Sequence, residues 1–299
     1  MQTVLERLPS GARVAVIRLR SLGDCVLTTP ALDILKHARP DLRVAVIVED
    51  RFAAVFEESH AVEAVLPPRI PALRDWQPDL CLNLHGGNRS AALTAASGAV
   101  IRAGFAHFRI QIPYTVKIPR AQQILNVDRV VHTAEHLASA IFYLGAPLMD
   151  IPRARLSADR RTNLKPYAVI HPVASHPSKT WPAERFLAVA AHLDIEPVFI
   201  GGQDDDLTPF QKYRTLAGAP LAEIKALLAN ATLFIGNDSG PAHMAAAFGL
   251  PVVVLFGASN IDVWRPWKTA AEALSHPGGI SSISTDQVIA ALSGLRVHA

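Results

Sequence analysis

The sequence predicts an α/β protein built from two units, each a parallel sheet with helices on both faces. Three observations carry that expectation. Short, continuously apolar, β-branched runs alternate with helical stretches, the pattern of buried parallel strands joined by crossover helices. The pattern pauses over residues 150–166, rich in Arg, Asp, Pro and Ser, and then starts again. At 299 residues, 50% hydrophobic and 18% charged, the chain is also long for a single core. The expected units are residues 1–155 and 156–299.

Arg13–Leu19 reads as a buried strand because its apolar run Val14–Ile17 is continuous rather than alternating and rich in Val and Ile. Arg20–Asp24 then turns into a helix, Cys25 to about Ala38, which must end before Pro40. Arg43–Val48 is a second strand of the same character. A short helix over Arg51–Glu57 and a third strand over Val62–Leu66 follow. Pro67-Pro68-Arg69-Ile70-Pro71 reads as a rigid connection. Asp79–His85 is a fourth strand closed by Gly86-Gly87, Asn88–Ser97 a small-residue helix, and Val100–Ala103 a short strand. Gln111–Asn126, with Pro113 and Pro119, reads as an irregular surface loop, and Val131–Leu144 as a helix.

After the pause, Tyr167–His171 is a strand, Pro182–Leu193 a helix, and Pro197–Ile200 a strand ending in Gly201-Gly202. Leu221–Asn230 is a helix, Thr232–Ile235 a strand, Pro241–Phe248 a helix and Val252–Phe256 a strand. Asp286–Leu292 is a last short helix. In parallel sheets, ligands bind beyond the carboxyl ends of the strands. The loops after Leu19 and Leu84 are therefore where chemistry is expected, with the two units facing each other across a cleft.

Charge narrows the partners. The net charge is +3 and the pI about 9.0, short of a nucleic-acid binder's footprint. Residues 1–160 carry 19 Lys and Arg against 15 Asp and Glu, whereas residues 161–299 carry 10 against 11. The Arg-richer first half suits an anionic partner. The two cysteines, Cys25 and Cys81, lie far apart in apolar settings, as buried thiols in a reducing compartment do. No secretory leader pattern opens the chain, and no apolar run approaches the roughly 20 residues of a membrane span. A cytoplasmic protein is expected.

Three stretches could carry chemistry. In Leu233–Gly249 an apolar run ends in Gly236-Asn237-Asp238-Ser239-Gly240 and an Ala-rich helix follows at once. A helix start offers unpaired amides and a positive dipole, so the turn is either a phosphate site or an ordinary capped helix. Asp238, set among those amides, is expected to touch hydroxyls beside a phosphate. At Gly23-Asp24 a carboxylate falls at a helix start after the first strand. It is either an N-cap or a general base kept ionised by the helix dipole and by Arg18 or Arg20. In His171–Pro182 a Ser- and Pro-rich loop carries Lys179 just before a helix, where an ammonium can meet a diphosphate or simply face solvent. His171 and His176 lack further ligands at metal-binding spacing. Asp204-Asp205-Asp206 is either a site for a ribose hydroxyl or magnesium or a solvated loop, with the solvated loop the favoured reading. The turn after the first strand lacks the G-x-G-x-x-G glycines of a dinucleotide oxidoreductase.

Together, Ile17–Asp24, His171–Pro182 and Gly236–His243 resemble glycosyltransferase family 9, the heptosyltransferase family of lipopolysaccharide core assembly. The resemblance spans nearly the whole chain. It implies a GT-B fold, two Rossmann-like domains with the active site between them. It also implies an inverting transfer from a nucleotide-activated sugar, typically ADP-L-glycero-D-manno-heptose, to a lipid A–core acceptor. Position by position, Asp24 matches the family's catalytic base, Lys179 its diphosphate-binding lysine and Asp238 its sugar-binding aspartate. Ser239, Gly240 and His243 match the phosphate-cradling helix start, and Ser175 a phosphate-contacting hydroxyl. Arg18 and Arg20 are the acceptor-side candidates. Two segments depart from the family pattern: Leu66–Asp79 is too short for the long helix usual there, and Asp206–Leu216 is compressed.

The expected reaction is a single displacement in which Asp24 deprotonates the acceptor hydroxyl and Lys179 with the amides at 239–243 stabilises the departing diphosphate. It requires no metal and no cofactor, the nucleotide sugar being a substrate. The expected partners are that donor and an anionic glycolipid acceptor, with no nucleic acid. A lipid-anchored acceptor implies peripheral contact with the cytoplasmic face of the inner membrane, although no basic amphipathic helix stands out. Two other readings stay open at this point: another sugar-nucleotide enzyme on the same fold, such as an epimerase, and a non-catalytic protein that keeps the donor pocket.

Overall fold

A computed structural model of the chain describes residues 2–295, which divide into two compact units with the boundary between Ser157 and Ala158. The first unit runs α1 (Val4–Arg7), β1 (Arg13–Ile17), α2 (Leu22–Ala38), β2 (Arg43–Ile47), a 3-10 turn over Asp50–Val55, β3 (Ala64–Leu66), α3 (Ile70–Trp76), β4 (Leu80–Asn83), α4 (Asn88–Ala96), β5 (Ile101–Phe105), β6 (Val116–Ile118), α5 (Ala121–Leu125) and α6 (Thr133–Leu144). Its sheet is parallel throughout in the order β3-β2-β1-β4-β5-β6. Val14 to Ile17 of β1 and all of β4 are buried, as central strands covered on both faces must be. Helix α6 lies along α2.

The second unit runs β7 (Tyr167–His171), α7 (Ala183–His192), β8 (Glu196–Gly201), β9 (Arg214–Ala217), α8 (Leu221–Ala229), β10 (Leu233–Asn237), α9 (Gly240–Phe248), β11 (Val252–Leu255), α10 (Ile261–Trp264), β12 (Ala271–Leu274) and α11 (Thr285–Leu295). Its parallel sheet has the order β12-β11-β10-β7-β8-β9. Counted from the first strand of each unit, both sheets therefore follow the Rossmann order 3-2-1-4-5-6. In each, the strand order reverses between the first and fourth strands, β1 beside β4 and β7 beside β10. Such a reversal, beyond the carboxyl ends of the strands, is where open α/β sheets bind their ligands.

The structure departs from the sequence expectation at the sheet edges. Gln111–Asn126 is not a loop throughout, because it contains the edge strand β6 and the helix α5. The Pro67–Pro71 connection gives way to α3, with Pro71 in the first turn where its missing N–H costs nothing. The segment 206–216 holds a 3-10 turn, Thr208–Phe210, and the start of the edge strand β9. The expected helix over Arg51–Glu57 is the 3-10 turn at Asp50–Val55. Strand β12 was also not expected. Edge strands of three or four residues are held by their neighbours' hydrogen bonds more than by their own residues.

Candidate functional site

In the first unit, the chain leaving the carboxyl end of β1 carries Arg18 and Asp24. Arg18 follows β1 directly and is 6% exposed. Ser21 is the N-cap of α2, so Asp24 falls at the third helical position, where a carboxylate completes a capping box. Asp24 Oδ2 accepts from the Ser21 hydroxyl at 3.0 Å and from its backbone N–H at 3.4 Å. Asp24 Oδ1 accepts from Arg18 Nη1 at 3.2 Å. The carboxylate is thus both the cap and the partner of a buried cation. Burial pulls the Arg18 pKa down, and the Asp24 charge opposes that pull. Arg20 is exposed. Cys25, one residue on, is a buried thiol whose pKa burial raises to about 12, so it is inert as a nucleophile.

The loop after β4 brings His85 near Arg18 and Asp24. Burial lowers its pKa, the Arg18 charge adds to the effect, and Asp24 opposes it. Its turn is set by Asn83, fully buried at the end of β4. Asn83 Oδ1 accepts from the backbone of His85 at 3.0 Å and Gly86 at 3.1 Å, and its amide donates to Tyr114 Oη at 2.9 Å and Thr94 Oγ1 at 3.2 Å. His136, on α6, stacks on Phe105 with ring centroids 4.1 Å apart, and burial lowers its pKa to about 4.

In the second unit, the loops after β7 and β10 meet. Ser239 is the N-cap of α9, yet its side chain makes no cap bond, and Oγ is buried with no partner. Gly240 opens the helix, and His243 is buried one turn in, its ring centroid 6.2 Å from Trp264. Lys179 Nζ stands 3.9 Å from Asp238 Oδ2. Burial raises the Asp238 pKa, while a hydrogen bond from Ser259 and the Lys179 charge oppose the rise. Ser175 is exposed on the loop leading to Lys179. Of the residues expected from sequence, Lys179, Asp238, Ser239, Gly240 and His243 gather at one helix start, and Arg18, Arg20 and Asp24 at another.

Sequence reasoning passed over Asn237, Ser259, Gly257, His85 and Asn83. Asn237 was in view within Gly-Asn-Asp-Ser-Gly, and the loop after Leu84 was marked for chemistry without a residue being chosen. Asp205 and Asp206 serve local turns, accepting from Gly202 N at 2.6 Å and Thr208 N at 2.9 Å. His176 caps the 3-10 turn that presents Lys179 by accepting from Ser178 N at 3.2 Å. Among the described residues no three His, Cys, Asp or Glu side chains are grouped to hold a metal ion.

Two Rossmann-like units, each with its loops gathered at the strand-order reversal, are the architecture of GT-B glycosyltransferases. The solved structure of a family 9 glycosyl transferase from Veillonella parvula superposes with a TM-score of 0.84 at 24% identity, over 96% of this chain and 98% of that one. E. coli heptosyltransferase WaaC with ADP gives 0.79 at 20% identity, over 95% and 99%. In sequence, residues 70–284 match the profile of glycosyltransferase family 9 (heptosyltransferase), and the chain belongs to that family. It is 28% identical over 288 residues to lipopolysaccharide heptosyltransferase 3 of Escherichia coli, covering 84% of this chain and 85% of that protein. The chain is a glycosyltransferase.

Proposed function

We propose that the chain moves a heptose from an ADP-activated donor to a hydroxyl of an anionic lipopolysaccharide-core acceptor, with inversion and without a metal. The observation that carries this reading is the head of α9. There an ammonium and a carboxylate stand 3.9 Å apart beside first-turn amides and an unused buried hydroxyl. That set suits a sugar diphosphate: cation and amides for phosphate oxygens, carboxylate for sugar hydroxyls. The ADP held by the WaaC structure and the names of the relatives favour adenine and heptose.

In this mechanism Asp24 takes the proton of the acceptor hydroxyl as that oxygen bonds to the anomeric carbon. The bond from that carbon to the diphosphate oxygen breaks, and its electron pair leaves with ADP. Negative charge grows on the leaving group, where Lys179 and the amides at Ser239–His243 would stabilise it; preorganised donors of this kind act without reorganisation cost. Ser175 adds a hydroxyl to the phosphates. Arg18 is committed to Asp24, which leaves the exposed Arg20 for the acceptor's anionic groups. No cofactor takes part. No helix among the described residues is long and apolar enough to cross a membrane. Contact with the cytoplasmic face of the inner membrane is proposed as peripheral, through the lipid-anchored acceptor.

The test is a thermal-shift panel of ADP-, UDP- and GDP-sugars on the wild type and on Lys179→Ala. ADP-heptose should raise the melting temperature of the wild type while the UDP- and GDP-sugars leave it unmoved. Lys179→Ala should weaken ADP binding about 10- to 100-fold, the range expected for a lost hydrogen bond to a charged group. Stabilisation by a UDP- or GDP-sugar alone would reassign the donor.

A further inference from the structure

Asn237 is fully buried at the carboxyl end of β10, and both ends of its amide are spent on the loop that carries Lys179. Oδ1 accepts from the backbone N–H of Trp181 at 3.1 Å, and Nδ2 donates to the carbonyl of Pro172 at 2.9 Å. Those two residues are the entry and the exit of the arc 172–181, so one side chain closes the arc like a clasp. Inside it the turn is ordered by Lys179 N to the His176 carbonyl at 2.9 Å and Thr180 N to the Pro177 carbonyl at 3.0 Å. At the exit Trp181, 1% exposed, is anchored by its indole N–H donating to the Ile283 carbonyl at 2.9 Å.

A second contact comes from the loop after β11. A Cβ built on Gly257 would fall on the Ser178 carbonyl oxygen and 3.0 Å from Lys179 Cα. The two backbones therefore lie against each other at the lysine itself, and only glycine leaves room for that approach.

We infer that Asn237 is a positioning residue for the donor: it fixes the 172–181 arc so that Lys179 stands over Asp238 and the first turn of α9. This rests on the donor-site reading above. The reason lies in adjacency. Asn237 and Asp238 are consecutive, so the strand end that presents the carboxylate also holds the arc that presents the ammonium. The clasp needs one planar group with a donor and an acceptor, which Asp and Leu do not offer and Asn does. At the matching strand end of the first unit, Asn83 instead holds its own following turn, accepting from the backbone of His85 and Gly86, so the clasp on a neighbouring loop belongs to Asn237.

The experiment is a double-mutant cycle on the full chain, with ADP affinity read by calorimetry and donor and acceptor Michaelis constants read from turnover. Asn237→Ala should weaken ADP binding and raise the donor KM about tenfold, the effect of one misplaced charge-assisted hydrogen bond, leaving the acceptor KM unchanged. In a Lys179→Ala background the same substitution should cost little, because no ammonium remains to be placed; a merely structural residue would cost the same in both backgrounds. Gly257→Ala, at a partly exposed position, pushes the arc from the other side and should show the same dependence on Lys179 should Asn237→Ala not fold. Additive losses, or wild-type affinity in Asn237→Ala or Gly257→Ala, would overturn the inference while leaving the donor site standing. Failure of the wild type to bind ADP would instead remove the donor-site reading and the inference with it.

Discussion

The Arg18 guanidinium, 6% exposed, donates to Asp24 Oδ1 at 3.2 Å while Ser21 holds Oδ2 at 3.0 Å. Both carboxylate oxygens therefore have fixed partners, and the side chain is held in one orientation before any substrate arrives. A general base acts only within hydrogen-bond reach of its proton, so orientation matters before basicity does. Arg18→Met should lower turnover and leave ADP affinity at the wild-type level. It should also cost up to about 3 kcal/mol of stability in urea denaturation, because it strips one partner from a largely buried pair. Arg18→Lys keeps the charge without the fork and should recover stability better than turnover.

Ser239 allows stability and binding to be separated. Its hydroxyl sits at the N-cap position of α9 but makes no cap bond, and it is buried without a partner. Such a group costs free energy until something accepts from it or donates to it. Ser239→Ala should thus leave the ligand-free protein as stable as the wild type or more so by up to about 1 kcal/mol, where loss of a working cap would cost about that much. The same variant should bind ADP more weakly by calorimetry. Equal affinity with reduced stability would return Ser239 to an ordinary cap.

The buried histidines set a pH dependence of stability. His171, at the end of β7, has its pKa lowered to about 4 by burial, with the Asp205 charge opposing. In the unfolded chain an imidazole takes its proton near pH 6.5. Between those values the unfolded state binds a proton that the folded state refuses, so this contribution is complete above pH 6.5 and is lost as pH falls toward 4. His171 alone accounts for about 3 kcal/mol across that window, and His136 acts in the same direction. Urea denaturation at pH 7.5 and pH 5 should show the wild type less stable at the lower value and His171→Gln with a smaller difference. An unchanged slope in the variant would contradict this assignment.

Much of this was legible in the sequence, for physical reasons that vary by element. Strands β1, β4, β7 and β10 are buried on both faces, so they read as unbroken apolar runs. Residues Tyr167–His171 were expected as a strand and are one. Strands β6, β9 and β12 sit at or near sheet edges and take their shape from partners distant in sequence, which no local pattern encodes. The site residues divide in the same way. Asp24, Lys179 and Asp238 stand out because a charged residue at a helix start or in a Ser-rich loop is chemically conspicuous. Asn237 and Asn83 do not, since their work is hydrogen bonding to backbone groups whose positions exist only in the fold. The pairing of Arg18 with Asp24 was one of two arginine options in the sequence, and the structure chooses Arg18.

In the proposed mechanism Asp24 supplies the base for a transfer whose donor is held by separate residues. The direct measurement sets Asp24→Asn beside the wild type, with ADP-heptose and a lipopolysaccharide-core acceptor, reading ADP release and the heptose mass added to the acceptor, with ADP affinity by calorimetry. The amide keeps the shape of the carboxylate but cannot take the proton. Turnover should fall by about 10²–10⁴-fold, the usual worth of a general base, while ADP affinity stays at the wild-type value. Transfer by Asp24→Asn at the wild-type rate would contradict the account.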